Sequence, residues 1–439
     1  MTVYFITFGC KVNCYETACL KDEFIRHSFI ISETPEGADI IIINSCTVTS
    51  ASDKKVRQSL RKLRKENPSS LIVLTGCYPQ AFPEEAAALT QADIITGTKN
   101  RSDIVNLVLS ASVGKDHTIN IIPYGSKECI ENLSCSSFED KTRAFVKIQD
   151  GCNQFCSYCI IPYSRGRIRS KPIENIVAEV SQLAANGHQE IVLVGINLAF
   201  YGTEFGLTLT DAVEACCSVD GVVRVRLGSL EPEKIHENDL IRLSKLNKFC
   251  PQFHLSLQSG CDKTLAAMNR KYTSGEYADL VSSIRTIFHD VSVTTDVMVG
   301  FPGETEEDFA QSYEFVKNTA FSKINVFPYS VRQGTKAASM PGQLSNGEKN
   351  RRASRMTALG NTLERNFMQS QTGKTYPVLF EKENCTDFHQ GYSPNYTLVK
   401  IKRLKCIKSL RNRIFYVNIE EAMNDFCIGA IQDEIQITE

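Results

Sequence analysis

Tryptophan is absent from the 439-residue chain, so any aromatic stacking surface must be built from phenylalanine and tyrosine. Net charge is also lacking. Lys and Arg number 49 against 50 Asp and Glu, which excludes a positive field over the whole molecule and confines any nucleic-acid surface to a patch. No apolar run approaches a membrane span, and the opening MTVYFITFGC lacks the basic, apolar and small-residue regions of a secretion signal. The expectation is a cytoplasmic protein with no membrane partner. Cysteine is what the chain does have. Its 17 cysteines make up about 4% of the residues, short of the roughly 8–10% that marks a small disulfide scaffold, and their grouping points to metal.

The length suits about three domains of roughly 150 residues each. Over residues 1–122, β-branched runs such as TVYFITF, DIIIINS, LIVLTG and ADIITG alternate with helical patterns. This predicts an α/β domain with a parallel sheet joined by right-handed crossovers. Its first three strands each end in a cysteine, Cys10, Cys46 and Cys77. Ligands in open α/β sheets sit beyond the carboxyl ends of the strands, so three thiols distant in sequence are brought to one edge. Residues 123–142 are polar, with no strong period, and read as a linker. The alternation resumes over 143–345 with six strands separated by helices, which predicts a partial (β/α)6 barrel. Chemistry in such barrels belongs at the C-terminal strand ends, where Cys152, Asn197, Glu231, Gln258 and Gly300 fall. Residues 346–372 form a charged helical connector. From 373 to 439, short strands without helices predict a small antiparallel β-barrel near the lower size limit for an independent core.

The stretch GCNQFCSYCIIP, residues 151–162, carries Cys152, Cys156 and Cys159 in a C-x3-C-x2-C spacing. A four-iron cluster ordinarily takes four thiolates, and this loop offers three. Zinc held by three cysteines and a histidine is the rival reading. Zinc ligands usually come as C-x2-C pairs answered by a second pair nearby, and no histidine lies close in sequence to Cys159. Soft thiolates in a barrel loop favour iron-sulfur.

The spacing, with Tyr158 as the aromatic before the third cysteine, resembles the signature of the radical S-adenosylmethionine (SAM) enzymes. The resemblance implies that the amino group and carboxylate of SAM complete the coordination. It implies too that an electron from the reduced cluster cleaves a carbon–sulfur bond of SAM, giving a 5′-deoxyadenosyl radical and methionine. The barrel edge then becomes a SAM cradle. Gly195 and Asn197 in LVGIN, Ser229 and Glu231 in LGSLEP, Ser256 and Gln258 in LSLQSG, and Gly300 in VGFPGE combine close backbone approach with hydrogen-bonding groups. Taken singly, each is as readily a packed strand end or turn.

The N-terminal motifs GCKVNCYE, NSCTVT and GCYPQ extend the likeness. A lone cysteine at a strand end is ordinarily a buried core residue. Three at equivalent ends resemble the methylthiotransferases, a radical SAM subgroup with an auxiliary 4Fe-4S cluster on such a domain. The resemblance implies two 4Fe-4S clusters, one held by Cys10, Cys46 and Cys77 and the catalytic one by Cys152, Cys156 and Cys159. One SAM would methylate sulfur on the auxiliary cluster, and another would yield the radical. The run RAFVKIQDGCNQFCSYCIIPYSRGRIRS, residues 143–170, is similar almost residue for residue to the tRNA branch that acts on N6-threonylcarbamoyladenosine. The form GCKVNxYE, in place of GCQMN or GCxKN, points the same way and rests the substrate on Lys11, Val12 and Asn13. The implied reaction puts a methylthio group on C2 of that adenosine at tRNA position 37. The implied partners are tRNA and an external low-potential electron donor of the ferredoxin or flavodoxin type. The final segment resembles the TRAM module, an RNA-binding fold, and GYSPNYTLVKI over residues 391–401 matches its usual appearance in this branch.

Two basic windows remain. Residues 53–67 keep the default reading of a solvated helix face, whereas 400–413, within the TRAM-like segment, read as phosphate contacts. Arg165, Arg167 and Arg169 are candidates for a tRNA phosphate or a substrate carboxylate, with solvated loop arginines as the alternative. Cys14, Cys19 and Cys261 read as small buried residues beside the motifs, and Cys216 and Cys217 as structural. Cys129 and Cys135 fall in the linker without an assigned role.

Overall fold

The computed structural model describes residues 1–111, 117–126, 128–138, 141–382, 387–403 and 409–434. Its first sheet is parallel throughout and has six strands in the order β2-β1-β3-β4-β5-β6. They are Thr2–Thr7 (β1), Ile30–Ile31 (β2), Ile40–Ser45 (β3), Leu71–Gly76 (β4), Ile94–Thr96 (β5) and Thr118–Asn120 (β6). The outer strands β2 and β6 are too short to show a period in the sequence. Every residue of β3 and β4 is buried, because helices cover both faces. Ile40 and Ile42 share one core with Leu20 and Phe24 of helix α1 (Lys11–Arg26). Ile41 and Ile43, pointing the other way, join Val56, Leu60 and Leu63 of helix α2 (Ser50–Glu66). The outer face of α2 exposes Lys54, Lys55, Arg61, Lys62 and Lys65, the solvated face expected of residues 53–67.

Gly76 ends β4 with φ at +103°, and a Cβ there would meet the Ser45 carbonyl oxygen at 2.5 Å. Only glycine tolerates both, so the chain turns tightly into helix α3 (Cys77–Ala81) and sets Cys77 beside the end of β3.

The central domain is built from two parallel sheets, β11-β10-β7 and β12-β13-β14-β15. Their strands are Arg143–Lys147 (β7), Glu190–Val194 (β10), Arg224–Leu227 (β11), Ser229–Leu230 (β12), Gln252–Gln258 (β13), Ser292–Val299 (β14) and Lys323–Pro328 (β15). Between β7 and β10, Gln149–Asp150 (β8) and Arg169–Ser170 (β9) pair antiparallel at either end of the cysteine loop. β11 runs into β12 across Gly228, so the two sheets share one interrupted strand and make the six-stranded partial barrel that the alternation indicates. Leu133, Cys135 and Phe138, within the segment read as a linker, are buried in this domain's core. Apolar residues spaced among polar ones gave that segment no legible period.

Helix Asn346–Gln369 connects to a closed barrel of Thr375–Phe380 (β16), Phe388–Tyr392 (β17), Leu398–Lys402 (β18), Ile414–Ala422 (β19) and Cys427–Glu434 (β20), in the order β16-β17-β18-β20-β19. All its pairings are antiparallel except β18 with β20, which is parallel. Among the described residues, no helix is long and apolar enough to cross a membrane.

The small barrel is fastened to the central one through charge. Arg226 donates from Nε to Glu190 Oε1 (2.7 Å) and from its terminal nitrogens to the carbonyls of Pro394 (2.9 Å) and Ser393 (3.2 Å). Arg224 donates to the Tyr392 carbonyl (3.0 Å), and Arg143 pairs with Glu381 (2.9 Å). Tyr392 and Tyr396 stack at 4.5 Å under the Arg143 guanidinium, which lies 4.8 and 5.0 Å from their ring centres. Residues 391–396 are therefore docked on the central domain. Of the basic window, Lys400 lies over the Phe426 ring, and residues 404–408 lie outside the described residues.

Burial alone would raise the pKa of Glu190, but Arg226, Arg224 and Arg143 outweigh it and hold the carboxyl at about 2, against an ordinary 4.5. A depressed acid stabilises the fold fully above its unfolded pKa and loses that contribution as pH falls through the folded one. The expected outcome for Glu190→Gln is a loss of about 3 kcal/mol near neutrality, since the arginines are left buried without their partner. Urea titrations at several pH values should show the gap to the parent protein closing between about pH 4.5 and 2. A gap that is constant across this window would mean that Glu190 is not the anchor.

Candidate metal centres

The turn from β1 into α1 carries Cys10, which is exposed, while Cys46 follows β3 and Cys77 opens α3, both buried. A Cβ on Gly9, whose φ is +116°, would meet Cys46 Cβ at 2.8 Å and Sγ at 3.2 Å, so the first loop passes directly over the second. Asn13 ties the three together. Its Nδ2 donates to the carbonyls of Phe8 (3.0 Å) and Ser45 (2.9 Å), and its Oδ1 accepts from the Cys10 thiol (3.5 Å) and from Arg165 Nη2 (3.0 Å). Arg165 Nε in turn donates to Cys77 Sγ (3.2 Å).

Arg165 ends helix Ile161–Arg165, which begins two residues after Cys159. It is fully buried in an ionic knot between the first two domains. Glu16 of α1 meets Arg101, Lys147 (2.9 Å) and Arg165, while Asp150 meets Lys147 (3.1 Å), Arg165 (3.7 Å) and Arg169 (3.6 Å). Four cations stand against Glu16, Asp150 and the partly exposed Glu131, which lies 3.8 Å from Arg101, so the knot keeps a net positive charge beside the Cys77 sulfur. Burial would raise the pKa of Glu16, yet Arg101, Arg165 and Lys147 hold it at about 2. Arg165 and Arg169 are thus internal, and the expectation that they meet tRNA phosphate or a substrate carboxylate is corrected by their burial; Arg167 is exposed.

In the central loop, Cys152 Sγ accepts from the Gln154 N–H (3.4 Å) and Asn197 Nδ2 (3.4 Å), and Cys156 Sγ accepts from Arg270 Nη1 (3.3 Å). Arg270 also ion-pairs with Glu231, and its Nη2 reaches the Ser256 carbonyl (3.3 Å), which the Tyr272 hydroxyl meets too (2.6 Å). Burial pushes up the pKa of Glu231, with Arg270 as the opposing influence. Asn197 N–H donates to Gln149 Oε1 (2.7 Å), whose side chain fills the space beside Gly195, while Asn197 Oδ1 is buried with no hydrogen-bond partner among the described residues. Tyr158 packs at the edge of an apolar cluster of Met268, Phe301, Tyr329 and Ala337. Ser229 is exposed, and Gln258 has the left-handed φ of +66°, a costly conformation for a side chain of its size. At Gly300 the space of a Cβ is taken by Lys349 Cγ at 2.5 Å, so this glycine admits the connector helix. Cys19, Cys216 and Cys261 are buried, as their sequence context indicates.

Asn13, Glu16, Gln149 and Arg270 were not singled out in sequence as parts of the frame; Asn13 was read only for substrate choice. Arg270 follows helix Asp262–Ala267 in a polar turn with nothing periodic about it. Glu16 has a weak signal, a carboxylate at a helix position whose neighbours Val12, Tyr15, Cys19 and Leu20 are all core.

Both cysteine sets fit a thiolate-ligated cluster. Each has a guanidinium donating to one sulfur, the kind of outer support that stabilises thiolate charge. Burial pushes the Cys46 thiol up to about 12 and the Cys152 thiol up to about 11, so metal binding there must release protons. Among the described residues, no three His, Cys, Asp or Glu side chains form a group that could hold a single metal ion, as zinc requires. A four-iron cube takes one thiolate per iron, so its ligands need not converge on one ion. The unpartnered Oδ1 of Asn197, beside Cys152, suits a hydrogen-bond donor on a bound small molecule.

Residues 2–97 match Uncharacterized protein family UPF0004, and residues 146–316 match the Radical SAM superfamily. The radical SAM methyltransferase TsrM from Kitasatospora setae, solved with cobalamin and a 4Fe-4S cluster bound, has a TM-score of 0.57 over 77% of each chain at 13% identity, a likeness of fold. A six-stranded partial barrel with this cysteine loop at its C-terminal edge is a radical SAM core. Threonylcarbamoyladenosine tRNA methylthiotransferase MtaB of Bacillus subtilis (strain 168) is 36% identical over 410 residues, covering 91% of this chain and 90% of that protein. The tRNA-2-methylthio-N(6)-dimethylallyladenosine synthase of Caldicellulosiruptor saccharolyticus is 33% identical over 446 residues, covering 98% and 92%. The chain belongs to the radical SAM tRNA methylthiotransferase family, whose cofactors are SAM and 4Fe-4S clusters.

Replacing Arg165 tests the knot. Arg165→Met, which leaves buried carboxylates short of a partner, is expected to cost about 3–5 kcal/mol in a urea titration. Arg165→Lys keeps the charge but loses the planar fork, and the expected cost is smaller, about 1–3 kcal/mol. Equal costs would show that the retained charge contributes nothing at this position and that the ionic knot is not what Arg165 secures.

Proposed function

We propose that this protein inserts a methylthio group at C2 of N6-threonylcarbamoyladenosine at position 37 of tRNA, giving the 2-methylthio derivative. In this reading Cys10, Cys46 and Cys77 hold the auxiliary cluster, and Cys152, Cys156 and Cys159 hold the cluster that works with SAM. The observation that carries it is the bond from Arg165 to Cys77. The radical SAM loop runs straight into the helix that ends on this guanidinium, so the two cysteine sets are joined by a rigid element roughly 7–8 Å long. Sulfur insertion requires both centres to act on one base, and a fixed short separation serves that need.

When bound, the clusters and SAM supply the sulfur, the methyl group and the one-electron cleavage of SAM that removes hydrogen from C2, with electrons from an external low-potential donor. The chain's own residues prepare these events. Arg165, with the net positive charge of the knot around it, offsets thiolate charge at the auxiliary site. Arg270 does the same at Cys156 and orients Glu231. Asn197 donates to Cys152 and keeps its carbonyl oxygen for SAM, together with Ser229, Ser256 and Gln258 at neighbouring strand ends, whereas the close approaches at Gly195 and Gly300 are taken by Gln149 and Lys349. Because relatives of both substrate names align over most of the chain, the choice of the threonylcarbamoyl base rests on the GCKVN motif, Lys11, Val12 and Asn13.

Mass spectrometry of tRNA nucleosides from a strain lacking this protein should show loss of the methylthio threonylcarbamoyl nucleoside, with the isopentenyl-derived product unchanged. Loss of the isopentenyl-derived product alone would refute the substrate. Anaerobic reconstitution should give a brown protein with about eight irons, falling to about four in Cys10→Ala or Cys152→Ala. Cleavage of SAM that survives Cys152→Ala would overturn the cluster assignment.

A further inference from the structure

Helix α2 carries seven cations, and the structure divides them. Arg57 turns inward to the Tyr78 hydroxyl (3.1 Å), and Arg64 to Asp93 and the carbonyls of Gln91 (3.1 Å) and Ser70 (2.9 Å). Lys54, Lys55, Arg61, Lys62 and Lys65 are exposed. The acids nearby do not cancel them. Asp53 is buried and spent on Arg332 and Thr47, Glu66 lies 3.9 Å from Lys62, and Glu85 lies 3.9 Å from Arg57. Among the described residues, no ion pair engages Lys54, Lys55, Arg61 or Lys65. In a chain with 49 basic against 50 acidic residues, this is a local concentration of positive charge.

Contacts fix this ridge relative to the cysteines. α2 begins four residues after Cys46, and its Asp53 accepts from Thr47 (2.8 Å). Lys55 Nζ lies 5.4 Å from the ring centre of Phe8, two residues before Cys10, and Arg57 bonds Tyr78, the neighbour of Cys77. A loop of the central domain meets the same end of the helix. There Ser50 N–H donates to Ser330 Oγ (3.2 Å) and Arg332 to Thr47 (2.7 Å), while Ala337 N–H donates to the carbonyl of Ser157, beside Cys156 (2.7 Å). The ridge therefore starts where the two cysteine loops come together. Lys54, Arg61 and Lys65, spaced by seven and four residues, share one side of the helix and extend roughly 16 Å away from that point. Val56, Leu60 and Leu63 anchor the opposite side in the core, so the array is rigid.

We propose that the exposed face of α2 is a phosphate-binding surface for the tRNA backbone, along which Lys54, Arg61 and Lys65 follow one strand of the anticodon arm. The inference rests on tRNA as the substrate, whichever base is modified, and adds the surface that holds it. A line of unpaired cations matches a polyanion, whose released counterions drive association. It begins at the auxiliary cysteine set, where the reacting base has to arrive. An acidic electron-carrier protein is the competing partner for such a face.

The test measures binding of fluorescent anticodon stem-loops to reconstituted holoenzyme, held anaerobically, over a range of salt concentrations. Lys54→Gln, Arg61→Gln and Lys65→Gln combined should weaken binding by about 10- to 100-fold at ~0.1 M salt and make the slope of log affinity against log salt shallower by about 2–3. The loss should be equal for loops carrying threonylcarbamoyladenosine, isopentenyladenosine or unmodified adenosine, because phosphates carry no base identity. Lys54→Arg, Arg61→Lys and Lys65→Arg combined should bind as the parent does. Lys245→Gln with Lys317→Gln, at the ends of helices Glu237–Ser244 and Glu306–Thr319 and so away from the catalytic strand edge, should leave affinity and slope unchanged. An unchanged affinity in the neutral triple variant, or an equal loss in the control, overturns the inference. So does a turnover defect of the triple variant seen with a flavodoxin donor but not with dithionite, at full RNA affinity, which would assign the face to an electron carrier. A parent protein that prefers the isopentenyl loop refutes the threonylcarbamoyl reading and leaves this surface standing, and one that binds no loop overturns both.

Discussion

Six ionisable side chains buried in one knot decide where the two cysteine loops stand. Glu16 and Arg101 come from the N-terminal domain, and Lys147, Asp150, Arg165 and Arg169 from the central one. Such pairs add little net stability, because desolvating the charges consumes most of what their attraction gains. What they impose is register. A slip of either domain would strand charge in a medium that cannot solvate it, whereas an apolar interface of the same size would tolerate the shift. The precision matters because the same guanidinium that neutralises Glu16 also donates to Cys77.

The second cysteine set repeats the device. Arg270 donates to Cys156 and pairs with Glu231, as Arg165 donates to Cys77 and pairs with Glu16. The carboxylates differ in what surrounds them. Three cations hold Glu16 well below the ordinary range, so it stays ionised and fixed. Burial dominates at Glu231, where one arginine works against the nearby acids Glu233 and Asp296, and its pKa rises. One carboxylate is held firmly in its charged form, and the other sits where burial disfavours its charge.

How much of this could be read from the sequence follows from the range of the forces involved. The cysteines were legible because strand ends and loop spacing are local facts, and β3 and β4 announced themselves as unbroken apolar runs. Arg165 and Arg169 were misplaced on the surface because the carboxylates that bury them, Glu16 and Asp150, lie in different parts of the chain. Arg270 and Gln149 were missed for the same reason, each acquiring its role from a partner in another element. The short strands β2, β6 and β17 escaped since two to five residues cannot display a period, and the parallel β18–β20 pairing is a property of closure that no single strand encodes.

The C-terminal barrel gains a second meaning from its attachment. The turn through Ser393, Pro394 and Tyr396 is held by arginines on one face of the central sheet. Tyr396 sits under Arg226 at 4.7 Å. A flexibly tethered RNA-binding module would hold tRNA near the enzyme and leave selection to the other domains. Here Arg143, Arg224 and Arg226 fix the small barrel on the central sheet, so its place relative to the strands that lead into the cysteine loop is set. Glu190 is the carboxylate that both arginines of β11 share, so the attachment depends on its charge.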